Sequence, residues 1–206
     1  MNEQANGIRL SGRVISCPVY DHTVFGEAFY RMEVAAARLS GTEDLLPVTV
    51  SERLLLRQDP PEEGAYVDIS GQIRSYNQRS EAGSHLLITV FARELSFPDI
   101  PDEADHNEAE LYGAVCKPVV YRTTPFSREI ADLLIAVNRR YGKSDYLPCI
   151  AWGRNARFAG ELQQGTPVFI RGRLQSRAYM KTLPDETREQ RIAYEISISS
   201  IESFEA

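Results

Sequence analysis

A chain of 206 residues fits one large domain or two of about 100. Its composition is that of an ordinary globular protein, and no apolar run approaches the roughly 18 residues of a membrane-spanning helix. The net charge of −6 hides two unlike halves: residues 1–106 carry nine Arg and no Lys against 17 acidic side chains (−8), while residues 107–206 carry 14 basic against 12 acidic (+2).

In chain order, Met1-Asn-Glu-Gln-Ala-Asn6 lacks the basic and apolar stretches of a signal peptide, so a cytoplasmic protein without membrane attachment is expected. A short helix is expected near Ser51–Leu56. Val67, Ile69, Gly71 and Ile73 alternate with polar residues at the period of a half-buried strand, and His85–Ala92 reads as a closing strand after a polar turn at Ser80–Ser84. The stretch 98–107 has two prolines and the acidic residues Asp99, Asp102, Glu103 and Asp105, and reads as a linker. Ile130–Val137 is ambiguous: Ile130, Leu133, Leu134 and Val137 have helical spacing, but Leu133, Ile135 and Val137 would share one strand face. The strand-rich surroundings favour the strand. A second short helix is expected over Asn155–Leu162, then strands around Val168, Ile170, Gly172 and Leu174 and over Ile192–Ser199, with a polar hairpin tip at 182–190. Gly71 and Gly172 inside strands signal bends or bulges, and strands that coil this way suggest small closed barrels.

The two halves repeat. A shift of 101 positions places Leu10-Ser-Gly12-Arg-Val14 on Leu111-Tyr-Gly113-Ala-Val115, Phe25 on Phe126, Arg38 on Arg139, Asp44 on Asp145, and Leu46-Pro47 on Leu147-Pro148. In the same register Gly64-Ala-Tyr-Val67-Asp-Ile69-Ser-Gly71-Gln-Ile73-Arg-Ser75 lies on Gly165-Thr-Pro-Val168-Phe-Ile170-Arg-Gly172-Arg-Leu174-Gln-Ser176. The unit is too long for a solenoid and reads as two copies of one small all-β domain, each with at most a short helix, over 1–97 and 108–206.

The copies differ in what their surfaces offer. Residues 111–181 hold 12 basic against four acidic side chains (+8), whereas the matching 10–80 hold seven against ten (−3). Tyr146 and Trp152 are six apart in an extended run and so share a face. Arg171, Arg173, Arg177 and Tyr179 share one parity, opposite to Val168, Ile170 and Leu174. Around them stand Arg139, Arg140, Lys143, Arg154, Arg157 and Lys181. Aromatic rings among cations on a strand face suit single-stranded nucleic acid, whose unpaired bases stack on rings while cations follow the phosphates. The bland alternative is core rings with solubilising arginines. At the matching positions the first copy has Leu45, Ser51 and Gln78 for the three rings, and Ser70 and Gln72 for Arg171 and Arg173, so its face reads as stripped. Cys17, Cys116 and Cys149 have no metal-ligand spacing, so neither a metal nor a cofactor is expected.

Thr124-Pro-Phe-Ser-Arg-Glu-Ile130, Ala136-Val-Asn-Arg139, Asp145-Tyr-Leu-Pro-Cys-Ile-Ala-Trp-Gly-Arg154 and Gly165–Arg177 together resemble the bacterial single-stranded DNA-binding proteins, most clearly over 111–200 and more faintly over 8–97. The resemblance implies two tandem OB-folds, five-stranded Greek-key barrels. It puts Tyr146, Trp152 and Tyr179 at base-stacking positions, with Arg154, Arg173 and Arg177 along the strand's path. Single-barrel members of that family assemble as tetramers, so a tandem chain implies a homodimer. The family's acidic tail is not matched by Ile201–Ala206, which leaves the acidic linker as the candidate contact for replication or repair proteins.

Sequence-independent binding of single-stranded DNA in replication, recombination or repair is therefore the expected function. An RNA-binding or primosome-type accessory protein, or a protein-interaction scaffold, is the alternative. No nucleotide-binding, zincin or hydrolase motif is present, and no catalysis is expected.

Overall fold

The computed structural model describes residues 6–57, 61–80, 83–98, 104–139, 142–182 and 186–204. The first half contains β1 (Asn6–Val24), β2 (Glu27–Ala37), β3 (Glu43–Ser51), the single-turn α1 (Glu52–Leu55), β4 (Tyr66–Ser80) and β5 (Gly83–Ser96). The second contains β6 (Asn107–Val115), β7 (Val120–Thr123), β8 (Glu129–Asn138), β9 (Ser144–Trp152), α2 (Arg154–Gly160), β10 (Pro167–Thr182) and β11 (Arg188–Ser203).

Each half closes on itself. β1 pairs with both β2 and β4, β2 with β3, β3 with β5 and β5 with β4; the corresponding ring in the second half is β6, β8, β9, β11 and β10. All contacts are antiparallel except the short parallel ones, Val48 with Val90 and Ile196 with Cys149. Each is thus a closed five-stranded OB-fold barrel, as expected. Strand closure brings backbones close at equivalent glycines. A Cβ on Gly71 would lie 2.4 Å from the Phe91 carbonyl oxygen, and one on Gly172 would lie 2.3 Å from that of Ser197.

Ile130–Val137 lies within the strand β8. Ala131, Leu133, Ile135 and Val137 point into the barrel, while Asp132, Leu134 and Ala136 are only partly covered. The barrel wall thus prevails over helix propensity, because only alternation puts one row inside. The helices fall where the sequence places them, and α2 buries Ala156 and Ala159 completely. One difference between the copies is not apparent from the repeat. β1 runs 19 residues with three register irregularities, whereas its counterpart breaks at 116–119 into β6 and β7. Pro118, without an N–H to donate, sits in that break.

The barrels join about a local two-fold axis. β1 and β6 pair antiparallel with Ile8 opposite Ala109, its own repeat mate, so the rest of the junction occurs twice. Asn6 extends the β1–β4 ladder with its side chain, donating to the Ile73 carbonyl at 2.6 Å and accepting from the Ile73 N–H at 2.9 Å. Asn107 does the same with Leu174, at 2.7 and 3.0 Å. Farther out, Asp44 accepts from the Ser176 N–H at 2.8 Å and Asp145 from the Ser75 N–H at 2.6 Å; both carboxylates are buried. The linker's far end is tied down as well, with Asp105 accepting from the Ala37 N–H and the Tyr66 hydroxyl. Linker residues 99–103 and hairpin residues 183–185 lie outside the described residues.

Candidate nucleic-acid interface

β9 divides its side chains cleanly. Leu147, Cys149 and Ala151 enter the core, while Tyr146, Pro148, Ile150 and Trp152 lie on the other side of the strand, Ile150 covered and the two rings open. Register then sets the neighbours: Ile150 lies beside Ser197 of β11, Ser197 beside Arg173 of β10, Glu195 beside Gln175, and Arg191 beside Tyr179. One outer face therefore runs across β10, β11 and β9. Tyr146, Trp152 and Tyr179 are 41%, 42% and 37% exposed, an exposure that leaves ring surface open while the remainder is anchored. Tyr146 and Trp152 are separated by six residues of strand, about 20 Å.

The cations are not equivalent. Arg154 at the start of α2, Lys143 in the β8–β9 turn and Lys181 near the end of β10 form no ion pair among the described residues. Arg177 lies over the Tyr179 ring at 6.0 Å and 3.5 Å from Glu195, which also accepts from Gln175 at 2.8 Å. Arg173 is half-buried on the same face, with its Nε buried and lacking a partner among the described residues. Arg171 turns to the groove over the β1–β6 junction, bonded to Glu110 at 2.9 Å and stacked on Phe169 at 4.9 Å. Arg157 is paired with Glu129 at 2.7 Å. That carboxyl also accepts from the Tyr121 hydroxyl, and the bonds from Tyr121 and Arg157 hold it below the usual carboxylate range.

Arg139 stands apart. Its guanidinium donates to both oxygens of Asp145 and to the Ser75 carbonyl, which places it in the junction between barrels rather than on the open face. Burial alone would lower its pKa, but the hydrogen bond and charge of Asp145 outweigh that and hold it raised. Arg140 lies outside the described residues. Sequence reasoning also missed Phe126, 87% exposed at the β7–β8 turn before the positive-φ Ser127. Its alignment with Phe25, fully exposed in the first copy, was the available signal.

The first copy presents a different surface. Leu45 and Ser51 stand where Tyr146 and Trp152 do, but Phe29, opposite Ser51, packs between His22 at 5.2 Å and Phe91 at 5.7 Å. Among the described residues no cluster of three metal-ligating side chains occurs, and no helix is long and apolar enough to cross a membrane.

The family model described as the single-strand binding protein family matches residues 106–204. Over 80 residues the chain is 34% identical to single-stranded DNA-binding protein 1 of Staphylococcus aureus (strain COL), covering 35% of this chain and 48% of that protein. It is 31% identical over 80 residues to single-stranded DNA-binding protein 3 of Streptococcus agalactiae serotype V, covering 35% and 58%. The chain thus spans about half the length of the curated relatives it matches. In structure, the wild-type single-stranded DNA binding protein from Thermus aquaticus superposes with a TM-score of 0.77 at 20% identity, over 98% of this chain and 93% of that one. A deletion mutant of the same protein gives 0.78 over 98% and 95%, also at 20% identity. The likeness spans both barrels and establishes their shared fold.

Proposed function

We propose, from the match of residues 106–204 to the single-strand binding protein family, that the chain is a non-enzymatic, sequence-independent binder of single-stranded DNA. The observation that carries this reading is the set of three half-open rings, Tyr146, Trp152 and Tyr179, on one cationic strand face. Bases stack on these rings, and Arg154, Arg177, Lys143 and Lys181 meet the phosphates. Arg173 lies beneath them, while Arg157 and Arg171 join after exchanging their carboxylate partners for phosphate. Each base–ring stack contributes about 1–3 kcal/mol and is indifferent to base identity. Such a protein protects exposed strands during replication, recombination or repair, and works at the nucleoid in the cytoplasm.

The test is fluorescence of the lone Trp152 during titration with oligo-dT at low and high salt, with oligo-rU and duplex DNA as comparators. Salt-sensitive quenching by dT supports the reading. Equal quenching by rU moves it to single strands generally, including RNA. No quenching, together with unchanged oligo-dT affinity in Trp152→Ala, refutes it.

We propose further that two chains assemble as a homodimer of four barrels; a monomer by sedimentation refutes this. A second reading, a docking role for the first barrel, draws on its β1–β2 hairpin, where Val19, Tyr20, Val24 and Phe25 are exposed among Asp21 and Glu27. Replication or repair proteins are the proposed partners, there or at the acidic linker. Deleting the hairpin tip and finding DNA binding intact with partner capture lost would support it.

A further inference from the structure

The two junction edges share a skeleton but differ in what they present. At one edge, Asp44 binds Arg38 and the Ser176 N–H, the Ser176 hydroxyl accepts from the Leu45 N–H, and Gln175 and Arg177 stand beside them. At the other edge, Asp145 binds Arg139, Arg74 and the Ser75 N–H, and the Ser75 hydroxyl accepts from the Tyr146 N–H at 2.7 Å. The 101-residue repeat puts Arg74 where its mate has Gln175, Tyr76 where its mate has Arg177, and Tyr146 where its mate has Leu45.

These differences add rings and redistribute charge. At the first edge Arg38 alone meets the buried Asp44 carboxylate, while Arg177 pairs with Glu195. At the second edge both arginines, Arg139 and Arg74, meet the buried Asp145 carboxylate, so the number of arginines is the same but they are gathered at one point. The same edge carries two exposed tyrosines. Tyr146 ends the row that begins at Trp152, and its backbone is pinned to Ser75, the neighbour of Tyr76. The Arg139 guanidinium lies over the Tyr76 ring at 5.2 Å, yet Tyr76 remains 44% exposed. Cross-strand from it, Leu87 is also open to solvent.

We infer that single-stranded nucleic acid leaving the second barrel at Tyr146 continues across the junction onto Tyr76 of the first barrel, which supplies the next stacking ring. The inference rests on the single-strand reading above. It gives the first barrel a share in the ligand path at a position that aligning the two copies conceals, because its ring aligns with an arginine. Arg139 and Arg74 lie where the strand crosses; they hold Tyr146 and Tyr76 together and set a positive field for the phosphates between them.

The test uses the whole chain and labelled oligo-dT followed by anisotropy, one oligomer of about 8 nucleotides, within reach of one barrel, and one of about 30. Tyr76→Ala is expected to weaken the long oligomer by about 5- to 100-fold, a single stack's worth, and to leave the short one unchanged. Tyr76→Phe is expected to bind both as the parent does, with melting temperature and circular dichroism checking that the junction is intact. In the unmodified protein, photocrosslinking to 5-iodouracil in the long oligomer is expected to label Tyr76. If Tyr76→Ala does not fold, the crosslink decides. Parent-like affinity of Tyr76→Ala for the long oligomer, or crosslinks confined to the second barrel, would overturn the inference while loss of affinity in Trp152→Ala leaves the single-strand reading standing. Parent-like binding by Trp152→Ala would instead remove that reading.

Discussion

Replacing Asp145 with alanine tests the account of the barrel junction. The carboxylate is fully buried and takes hydrogen bonds from Arg139 (Nε at 2.7 Å), Arg74 (3.1 Å) and the Ser75 N–H (2.6 Å). Removing it leaves a buried N–H unpaired, which costs about 1–3 kcal/mol. It also leaves two guanidiniums, only 17% and 18% exposed, without their anion. Breaking a buried pair costs about 3–5 kcal/mol. Both arginines can swing toward water and Arg139 keeps the Ser75 carbonyl, so the low end, about 3 kcal/mol, is expected. For a chain of this length that is a fall in melting temperature of about 6–12 °C. The assay is urea and thermal unfolding followed by Trp152 fluorescence, which reports the second barrel, and by far-UV circular dichroism, which reports both. Asp44→Ala, with one arginine to strand, should lose less, about 2 kcal/mol, and the double variant should separate the two probes' transitions. A melting temperature of Asp145→Ala unchanged within error would refute the junction as described.

Arg154 and Arg139 should separate by assay: Arg154→Gln is expected to flatten the log–log salt dependence of oligo-dT binding by about 0.7 with stability unchanged, whereas Arg139→Gln is expected to lower the melting temperature. The reverse pattern would mean that their roles have been exchanged. Burial pushes the Cys149 thiol up from its ordinary value of 9.0. Above that pH the unfolded thiol loses its proton while the native one keeps it, so the stabilisation, fully present below pH 9.0, is lost as pH rises. Cys149→Ala should flatten the alkaline fall in unfolding free energy by about 1.4 kcal/mol per pH unit, and parallel curves would contradict this. Gly172→Ala forces a Cβ to 2.3 Å from the Ser197 carbonyl; calorimetry should show a loss of about 1–3 kcal/mol, and a neutral effect would mean that the strand crossing relaxes freely.

Much of the fold is legible because it is periodic. Alternation in Val67–Ile73 and Val168–Leu174 marks core strands, and Gly71 and Gly172 mark where they bend. The ring face is legible for the same reason, since parity alone puts Tyr146 with Trp152 and Tyr179 with Arg177. Parity does not say what lies across a junction. Arg139 reads as one more cation in a basic stretch, but its carbonyl partner, Ser75, is 64 residues away. The break of the first strand into β6 and β7 is equally hidden, because the repeat aligns through it without a gap.

The repeat itself contains the missing information once the two-fold is known. A symmetric junction needs the same residues twice, and Arg38/Arg139, Asp44/Asp145 and Ser75/Ser176 are identical at the 101-residue offset for that reason. Among the identical pairs, these polar ones mark where the barrels hold each other, while pairs such as Leu10/Leu111 and Gly71/Gly172 serve each barrel's own core and closure. Departure from identity at those edges marks where symmetry is of no use, and a single strand crossing between barrels is an asymmetric ligand. Tyr146 against Leu45, Arg74 against Gln175 and Tyr76 against Arg177 lie together at the Asp145 edge. Two of the three add an exposed ring at that edge, and the arginine given up at Tyr76 is offset by Arg74, which joins Arg139 on Asp145. Open rings beside gathered arginines are what a path for single-stranded nucleic acid uses.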